Sequence, residues 1–330
     1  VQQSIPIQRI YRDGIWMVNG KYSRTWRFAD INYSVASHED QQEMFLSYCG
    51  VLNSLPTGAT AKITINNRRL NGTDFQHSVL MRLKGDGLDK YRQEYNGILM
   101  EKAVESNNLI QDKYITISVE RKNIEEARTF FKRVDIDLGK SFGKLDSGAK
   151  ALDNHERLRI FHDFFRPGEE QDFRIDLSEA MKRGHSFKDA IAPDGMQFKA
   201  DHFEIGGKVG RGLFLREYAS YIKDRMITDL SDFSRNLMLS IDILPVPTNE
   251  AIKEMQARIL GVESDITRWQ QKQNANNNFT ATVPYELEQL RAENKEFLDD
   301  LSTRDQRMIF ANVTLVHMAD TLEQLDADTE

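Results

Sequence analysis

The stretch NLMLSIDILPV, residues 236–246, has the strongest strand pattern in the chain. Its residues are mostly apolar, and Pro245 and Pro247 end it because proline cannot donate a backbone hydrogen bond to a neighbouring strand. Ser240 and Asp242 interrupt the apolar run, which is far shorter than the roughly 20 residues that cross a bilayer. We therefore predict a strand here and expect any membrane contact to be peripheral or through a partner.

The segment after this strand has the most regular pattern in the sequence, with apolar residues at spacings of three and four. The seam residues are Ile252, Met255, Ile259, Val262, Ile266 and Trp269, and then Leu287, Leu290, Asn294, Phe297 and Leu301. Such short heptad seams predict a protruding antiparallel helical hairpin over residues 248–302, with arms of roughly 30 Å and a polar Asn294 that sets register. A strand follows at residues 307–318, and its direction relative to residues 236–246 stays open.

The first half of the chain also alternates strands and helices. Asn19-Gly20 is a strong hairpin-turn signal within residues 15–33, because both residues tolerate positive φ. The remaining predictions are helices near 38–55, 88–106, 123–134, 148–165 and 223–234, and strands near 59–66, 113–119, 173–176 and 196–205. The class is therefore mixed α/β (α+β). We expect two subdomains of mixed sheets, residues 1–166 and 167–330, separated at Arg166-Pro167-Gly168.

A glycine-rich stretch, GGKVGRGLF at residues 206–214, resembles a phosphate-binding loop at first sight. A Walker A loop requires G-x-x-x-x-G-K-[ST] before a helix, and a dinucleotide fold requires G-x-G-x-x-G. Neither spacing occurs here, and the residues after Gly212 have a strand pattern. The sequence therefore predicts a β-turn between two strands, with no cofactor-binding residues.

No set of side chains has convincing catalytic or metal-ligand spacing. His155 and His162 lie seven residues apart and are expected on a solvated helix face, while His317 is expected in the core. Asp135 and Asp137 could bind magnesium if they lay on a strand, but a helix-end turn is the preferred interpretation. We predict no catalytic and no metal residues.

The cysteine and the tryptophans do not indicate a catalytic or metal site either. The single cysteine, Cys49, excludes an internal disulfide and a cysteine metal cluster, which fits a reducing compartment. It lies on an apolar helix face with Phe45 and Tyr48, where burial is expected. Trp16 and Trp26 are candidate partner contacts because aromatics are enriched at interfaces, although core packing is the commoner fate.

The composition narrows the class of partner. Of 330 residues, 40% are hydrophobic and 29% are charged, which indicates a globular chain with sizeable cores. The formal net charge is −7, and this acidic balance argues against tight nucleic-acid binding. The chain starts without methionine and stops just after a helix cap at Asp320 or Thr321, so we expect a fragment of a longer protein.

Four ordered blocks carry a resemblance to a known family. They are IPIQRIYRDGIWMVNGKYSRTWRFADINY (5–33), GRGLFLREYASYIKD (210–224), RNLMLSIDILPVPTNEAI (235–252) and VTLVHMADTLEQLD (313–326). Together they resemble the N-terminal region of conjugative type IV secretion ATPases of the CagE/TrbE/VirB class, in the form found on Gram-positive conjugative elements. The blocks extend over nearly the whole chain and contain no catalytic motif.

The resemblance implies a function as well as a fold. It implies a non-catalytic docking and assembly domain, cytoplasmic and peripheral on the plasma membrane, whose partners are inner-membrane subunits of the secretion channel. It also implies hexamers or dimers of the full-length protein, with ATP and magnesium bound only by a C-terminal ATPase domain absent from this sequence. The alternative is a stand-alone magnesium-dependent hydrolase that uses Asp135 and Asp137.

Overall fold

The structure is a computed structural model that describes residues 2–31, 33–69, 80–105, 109–218, 225–231, 235–278, 282–304 and 306–330. The strands in these ranges are β1 (Ile7–Ile10), β2 (Trp16–Val18), β3 (Lys21–Phe28), β4 (Ala59–Arg69), β5 (Leu109–Val119), β6 (Ala149–Ala151), β7 (Met196–Phe198), β8 (Phe203–Ile205), β9 (Lys208–Phe214), β10 (Asn236–Pro245) and β11 (Ile309–Ala319). The helices are α1 (His38–Asn53), α2 (Asp89–Glu105), α3 (Ile124–Lys144), α4 (Asn154–Phe165), α5 (Leu177–Lys182), α6 (Arg225–Ser231), α7 (Thr248–Ala275), α8 (Tyr285–Thr303) and α9 (Leu322–Thr329). The predicted mixed α/β class is confirmed.

All described strands belong to one antiparallel sheet. Its order is β1-β2-β3-β5-β4-β10-β11-β9-β8-β7, and β6 pairs with β3 beside this path. The open question of strand direction is resolved: β10 and β11 are antiparallel, with Leu239 opposite Leu315. The reason is the helical hairpin between them, because two antiparallel helices return the chain to the end of the sheet that it left.

The prediction of two separate mixed sheets is wrong. β4 from the first half of the chain pairs along its length with β10 from the second half, so that Ile63 lies opposite Ile241. Joining the halves in this way leaves neither β4 nor β10 as an exposed edge strand with unpaired backbone groups. The sheet therefore crosses the expected division between residues 1–166 and 167–330.

The two faces of the sheet differ because successive side chains of a strand point to opposite sides. On one face Trp26, Ile115 and Ala61 pack against α1 and α3 in the largest apolar core. The other face carries Thr25 and Thr116 and lies toward α4. The central strands are thus apolar on one side and rich in hydroxyl groups on the other.

Helix α3 extends ten residues beyond the predicted end at residue 134. Asn123 caps its first turn by accepting a hydrogen bond from the backbone N–H of Glu126. Phe131, Leu138 and Phe142 continue one buried stripe to the last turn. A glycine inside a helix costs about 1 kcal/mol relative to alanine, and burying these large side chains contributes more than that.

The hairpin turn and the helix after it follow the sequence signals closely. Asn19 and Gly20 have φ of 50° and 76°, as the tight turn between β2 and β3 requires. Ser37 caps α1 as expected.

The helix predicted from residue 148 instead begins at Asn154, and Asp153 and Glu156 form a capping box at its start. Residues 173–176 form no strand, and Phe173 is buried in a core cluster.

The helical hairpin is formed by α7 and α8, as predicted. Near its base Met255 and Leu301 are buried together, and farther out Lys295 Nζ lies 3.8 Å from Glu263. These two contacts show that the helices are antiparallel. Asn294 is half-buried in the seam. The base cluster includes Met308 next to β11, which connects the hairpin to the sheet.

Candidate functional site

The glycine stretch is a turn, as predicted. Gly206 and Gly207 have φ of 53° and 75° and connect β8 to β9, whereas Gly210 lies within β9. A Cβ on Gly210 would come within 2.3 Å of the Phe203 ring, so this glycine allows close strand packing. Lys208 pairs with Asp320. Because a strand and no helix N-terminus follows the turn, these residues do not fit a phosphate-binding loop.

Asp135 and Asp137 do not form a pair. Both lie inside α3, not in the helix-end turn that the sequence suggested, and residues two apart on a helix point in different directions. Asp135 accepts hydrogen bonds of 2.7 Å from Arg24 Nη1 and from Trp26 Nε1. Asp137 is exposed. This geometry does not bring the two carboxylates onto one ion.

The described residues contain no group of three His, Cys, Asp or Glu side chains placed to hold a metal ion. His155 and His162 both contact the ring of Phe173, and His162 is buried. The expected solvated face is therefore wrong for His162, because residues 170–192 fold over that side of α4. His317 is a core residue, as predicted: its Nε2 lies 3.1 Å from Thr329 Oγ1, and burial lowers its pKa.

Trp16 and Trp26 are core residues and not exposed contact anchors. Both side chains are almost completely inaccessible. Trp16 Nε1 donates to Asn154 Oδ1 at 2.8 Å, and Trp26 Nε1 donates to Asp135. An indole that is buried and hydrogen-bonded in this way stabilises its own domain and presents no surface to a partner.

The face of α1 that packs into the core is not the one that the sequence predicted. Val51 is buried and Met44 is packed against the core, whereas Phe45 and Tyr48 are exposed. Cys49 is half-buried, not fully buried. The core contacts of α3 determine which side of α1 faces inward, and apolar spacing within α1 alone does not reveal this.

A concentration of exposed apolar side chains lies in and just before α2, and we call it the α2 patch. It consists of Met81, Leu83, Leu88, Tyr91, Tyr95, Ile98 and Met100. Tyr91 exposes 66% of its surface and Leu88 54%. So many large apolar groups exposed within 20 residues is typical of an interaction site, whereas scattered ones are ordinary.

The segment that carries the α2 patch is held by its own polar side chains. Asp89 accepts from the backbone N–H groups of Lys84 at 2.9 Å and Gly85 at 2.8 Å. Asn96 bonds both backbone groups of Met81, at 2.8 and 2.9 Å. A hydrogen bond from Arg92 lowers the pKa of Asp86 to about 2. These hydrogen bonds order the turn before α2. They are made by polar groups alone, and the apolar side chains of the α2 patch stay exposed.

Sequence reasoning predicted α2 but missed its patch. Leu88, Tyr91, Tyr95 and Ile98 follow each other at spacings of three, four and three, which is a heptad seam like that of the hairpin. This seam is the sequence signal from which the α2 patch could have been predicted. In the structure its side chains are exposed, and none of the described helices packs on it.

No protein-family model matches the chain, and no curated protein matches it. Within the part of the chain that the structure describes, none of the helices combines the length and the apolar character needed to cross a membrane. A functional proposal therefore rests on the four sequence blocks and on the exposed surfaces of the structure.

Proposed function

We propose that this chain is the N-terminal docking and assembly domain of a conjugative type IV secretion ATPase. In this proposal it is not an enzyme by itself, and it lies in the cytoplasm, peripheral on the cytoplasmic face of the plasma membrane. It binds inner-membrane subunits of the secretion channel, and the full-length protein forms a hexamer or dimer. ATP and magnesium bind in a separate C-terminal domain that powers DNA or protein transfer.

The α2 patch is the observation that carries the proposal. A docking domain needs a surface that is apolar enough to bind and is not used by its own core. Tyr91, Tyr95 and Ile98 provide such a surface at the spacing by which one helix packs against another. The partner that fits is a helix with a matching apolar seam on a channel subunit. The glycine turn supports the non-catalytic role, since it has no phosphate-loop geometry.

The direct test is binding to the inner-membrane subunits encoded on the same conjugative element. Each subunit is purified in detergent and immobilised, and binding of the 330-residue chain is measured. We expect Tyr95→Glu with Ile98→Glu to weaken binding by about tenfold or more, because charges would then be buried at the interface. The control is Leu260→Glu, which changes an exposed apolar residue on α7. Binding that the α2 variant leaves unchanged would contradict the assignment of this surface.

Two further measurements separate the proposal from its alternatives. Calorimetry with ATP is expected to give no binding, and micromolar affinity would count strongly against a non-catalytic domain. A gel shift with DNA at low salt is expected to give no retardation, because the net charge of −7 disfavours binding to a phosphate backbone.

A further inference from the structure

A large cleft lies on the hydroxyl-rich face of the sheet, under α4 and the residues near β7. Its volume is about 780 Å³, which is within the range of ligand pockets. The floor is made by Ser23, Thr25, Thr60, Thr64, Thr116 and Ser118. The roof is made by Phe161, Phe164, Phe165, Met196 and Phe198. The cleft thus places a polar wall opposite an aromatic and apolar one.

The floor follows from strand geometry. Thr25 of β3 lies opposite Thr116 of β5, and their hydroxyl oxygens are 2.8 Å apart. The side chains two residues along each strand point to the same face, which gives the run of hydroxyl groups. No aspartate or glutamate is among the described residues that line the cleft. Its polar side therefore offers hydroxyl groups and cations.

Arg157 is the unusual member of the lining. Its guanidinium is buried and stacks 4.1 Å from the Trp16 ring. Nη1 donates to the carbonyl oxygens of Gly14 at 2.9 Å and Ser23 at 3.1 Å, and Nη2 donates to Ser23 Oγ at 3.2 Å. These acceptors are all neutral. Guanidinium has five donors, so three bonds leave capacity for another acceptor.

No described carboxylate forms an ion pair with Arg157, although a charge that is buried in a protein normally has such a partner. Burial, and secondarily the charge of Arg24, lowers the pKa of Arg157 to about 9. The group is still charged at neutral pH. A buried charge without a counter-ion is unfavourable, and a bound anion would relieve this.

The other two cations of the cleft are already paired. Lys21 Nζ lies 3.6 Å from Glu120, and Lys62 Nζ lies 3.3 Å from Asp242. One positive charge, that of Arg157, therefore lacks a partner among the lining residues. This balance fits an anion with a single charge, such as a carboxylate, better than a doubly charged phosphate. The planar guanidinium also matches the two oxygens of a carboxylate.

We propose that this cleft binds a long-chain carboxylate, with the carboxylate group on Arg157 and the hydrocarbon chain against Phe161, Phe164 and Met196. This ligand site is independent of the docking role assigned to the α2 patch. The apolar roof provides the area for the chain, and the methyl groups of the threonine floor add to it. The buried cation provides orientation and the preference for an anion.

The test is calorimetry of the 330-residue chain with dodecanoate, dodecyl phosphate and dodecanol below their aggregation concentrations. We expect one dodecanoate per chain, with weaker binding of the phosphate and the neutral alcohol. Arg157→Gln should lower the affinity for dodecanoate by about tenfold or more, because a charge-assisted hydrogen bond is lost. It should leave dodecanol nearly unchanged. Wild-type affinity should fall as the pH rises above about 9, where Arg157 loses its proton.

The matched control is Arg159→Gln, two residues along the same helix, where the arginine faces Asp163 outside the cleft. It should keep full affinity. Ser118→Phe, which fills part of the floor, should abolish binding of both dodecanoate and dodecanol, and circular dichroism checks that each variant folds. Failure of dodecanoate to bind the wild-type chain, or equal affinity for wild type and Arg157→Gln, would overturn the proposal.

Discussion

At the scale of single residues, Asp135 shows how a carboxylate that looks catalytic in sequence can be structural. Its two oxygens accept from Arg24 and from the buried indole of Trp26. The donor on Trp26 has no access to water, so its bond must be made inside the protein. Asp137, two residues later, has no such constraint because it is exposed.

This contrast gives a prediction for a matched pair. Asp135→Ala should destabilise the fold by about 1–3 kcal/mol, because it leaves Trp26 Nε1 and Arg24 without their acceptor. Asp137→Ala should change stability by no more than about 0.5 kcal/mol. Urea denaturation of both variants measures the two values.

The same pair tests the hydrolase alternative. We expect no thermal shift with Mg²⁺ or Mn²⁺, in the wild type or in either variant, since the two carboxylates point apart. A metal-dependent shift that disappears in Asp137→Ala would instead support the hydrolase.

At the scale of elements, the helices show two different relations between periodicity and burial. In α7 the apolar seam meets α8, and Met255 becomes buried against Leu301. In α2 a seam of the same spacing stays exposed. A heptad pattern therefore predicts a helix and its apolar face. It does not predict the surface that packs on this face, which belongs either to this chain or to another molecule.

The helical hairpin offers a direct check of its own seam. Met255→Ala should cost about 2–5 kcal/mol, because it opens a cavity at the base of the hairpin. Leu260→Ala on the outer side of α7 should be almost neutral. Thermal unfolding followed by circular dichroism compares the two, and similar losses in both variants would mean that the hairpin is not packed as described.

At the scale of the whole molecule, the halves share both the sheet and the cores. β10 lies between β4 and β11, and Ile243 of β10 belongs to the core that contains Trp26. A second core joins Trp16 to Phe173 and Ile191, across the expected boundary near Arg166. Elements this closely joined are expected to unfold together.

We predict that residues 1–166 and 167–330 do not fold when produced separately. The first piece would expose the whole edge of β4, and each piece would lack part of a core. The expected result is a single cooperative transition for the intact chain and none for either piece, measured by circular dichroism and tryptophan fluorescence. A cooperative transition in residues 1–166 alone would support the two-subdomain organisation.

Local sequence signals by themselves determined the class, the turn at Asn19-Gly20, the glycine turn at residues 206–207 and the helical hairpin at 248–302. These features depend on periodicity and turn chemistry, which act over a few residues. Only the tertiary structure decided that β4 pairs with β10, that the apolar side chains of the α2 patch are exposed, and that Arg157 is buried with no carboxylate of the described residues paired to it. Such features depend on contacts between residues far apart in sequence, and no short stretch contains the burial or the pairing that they require.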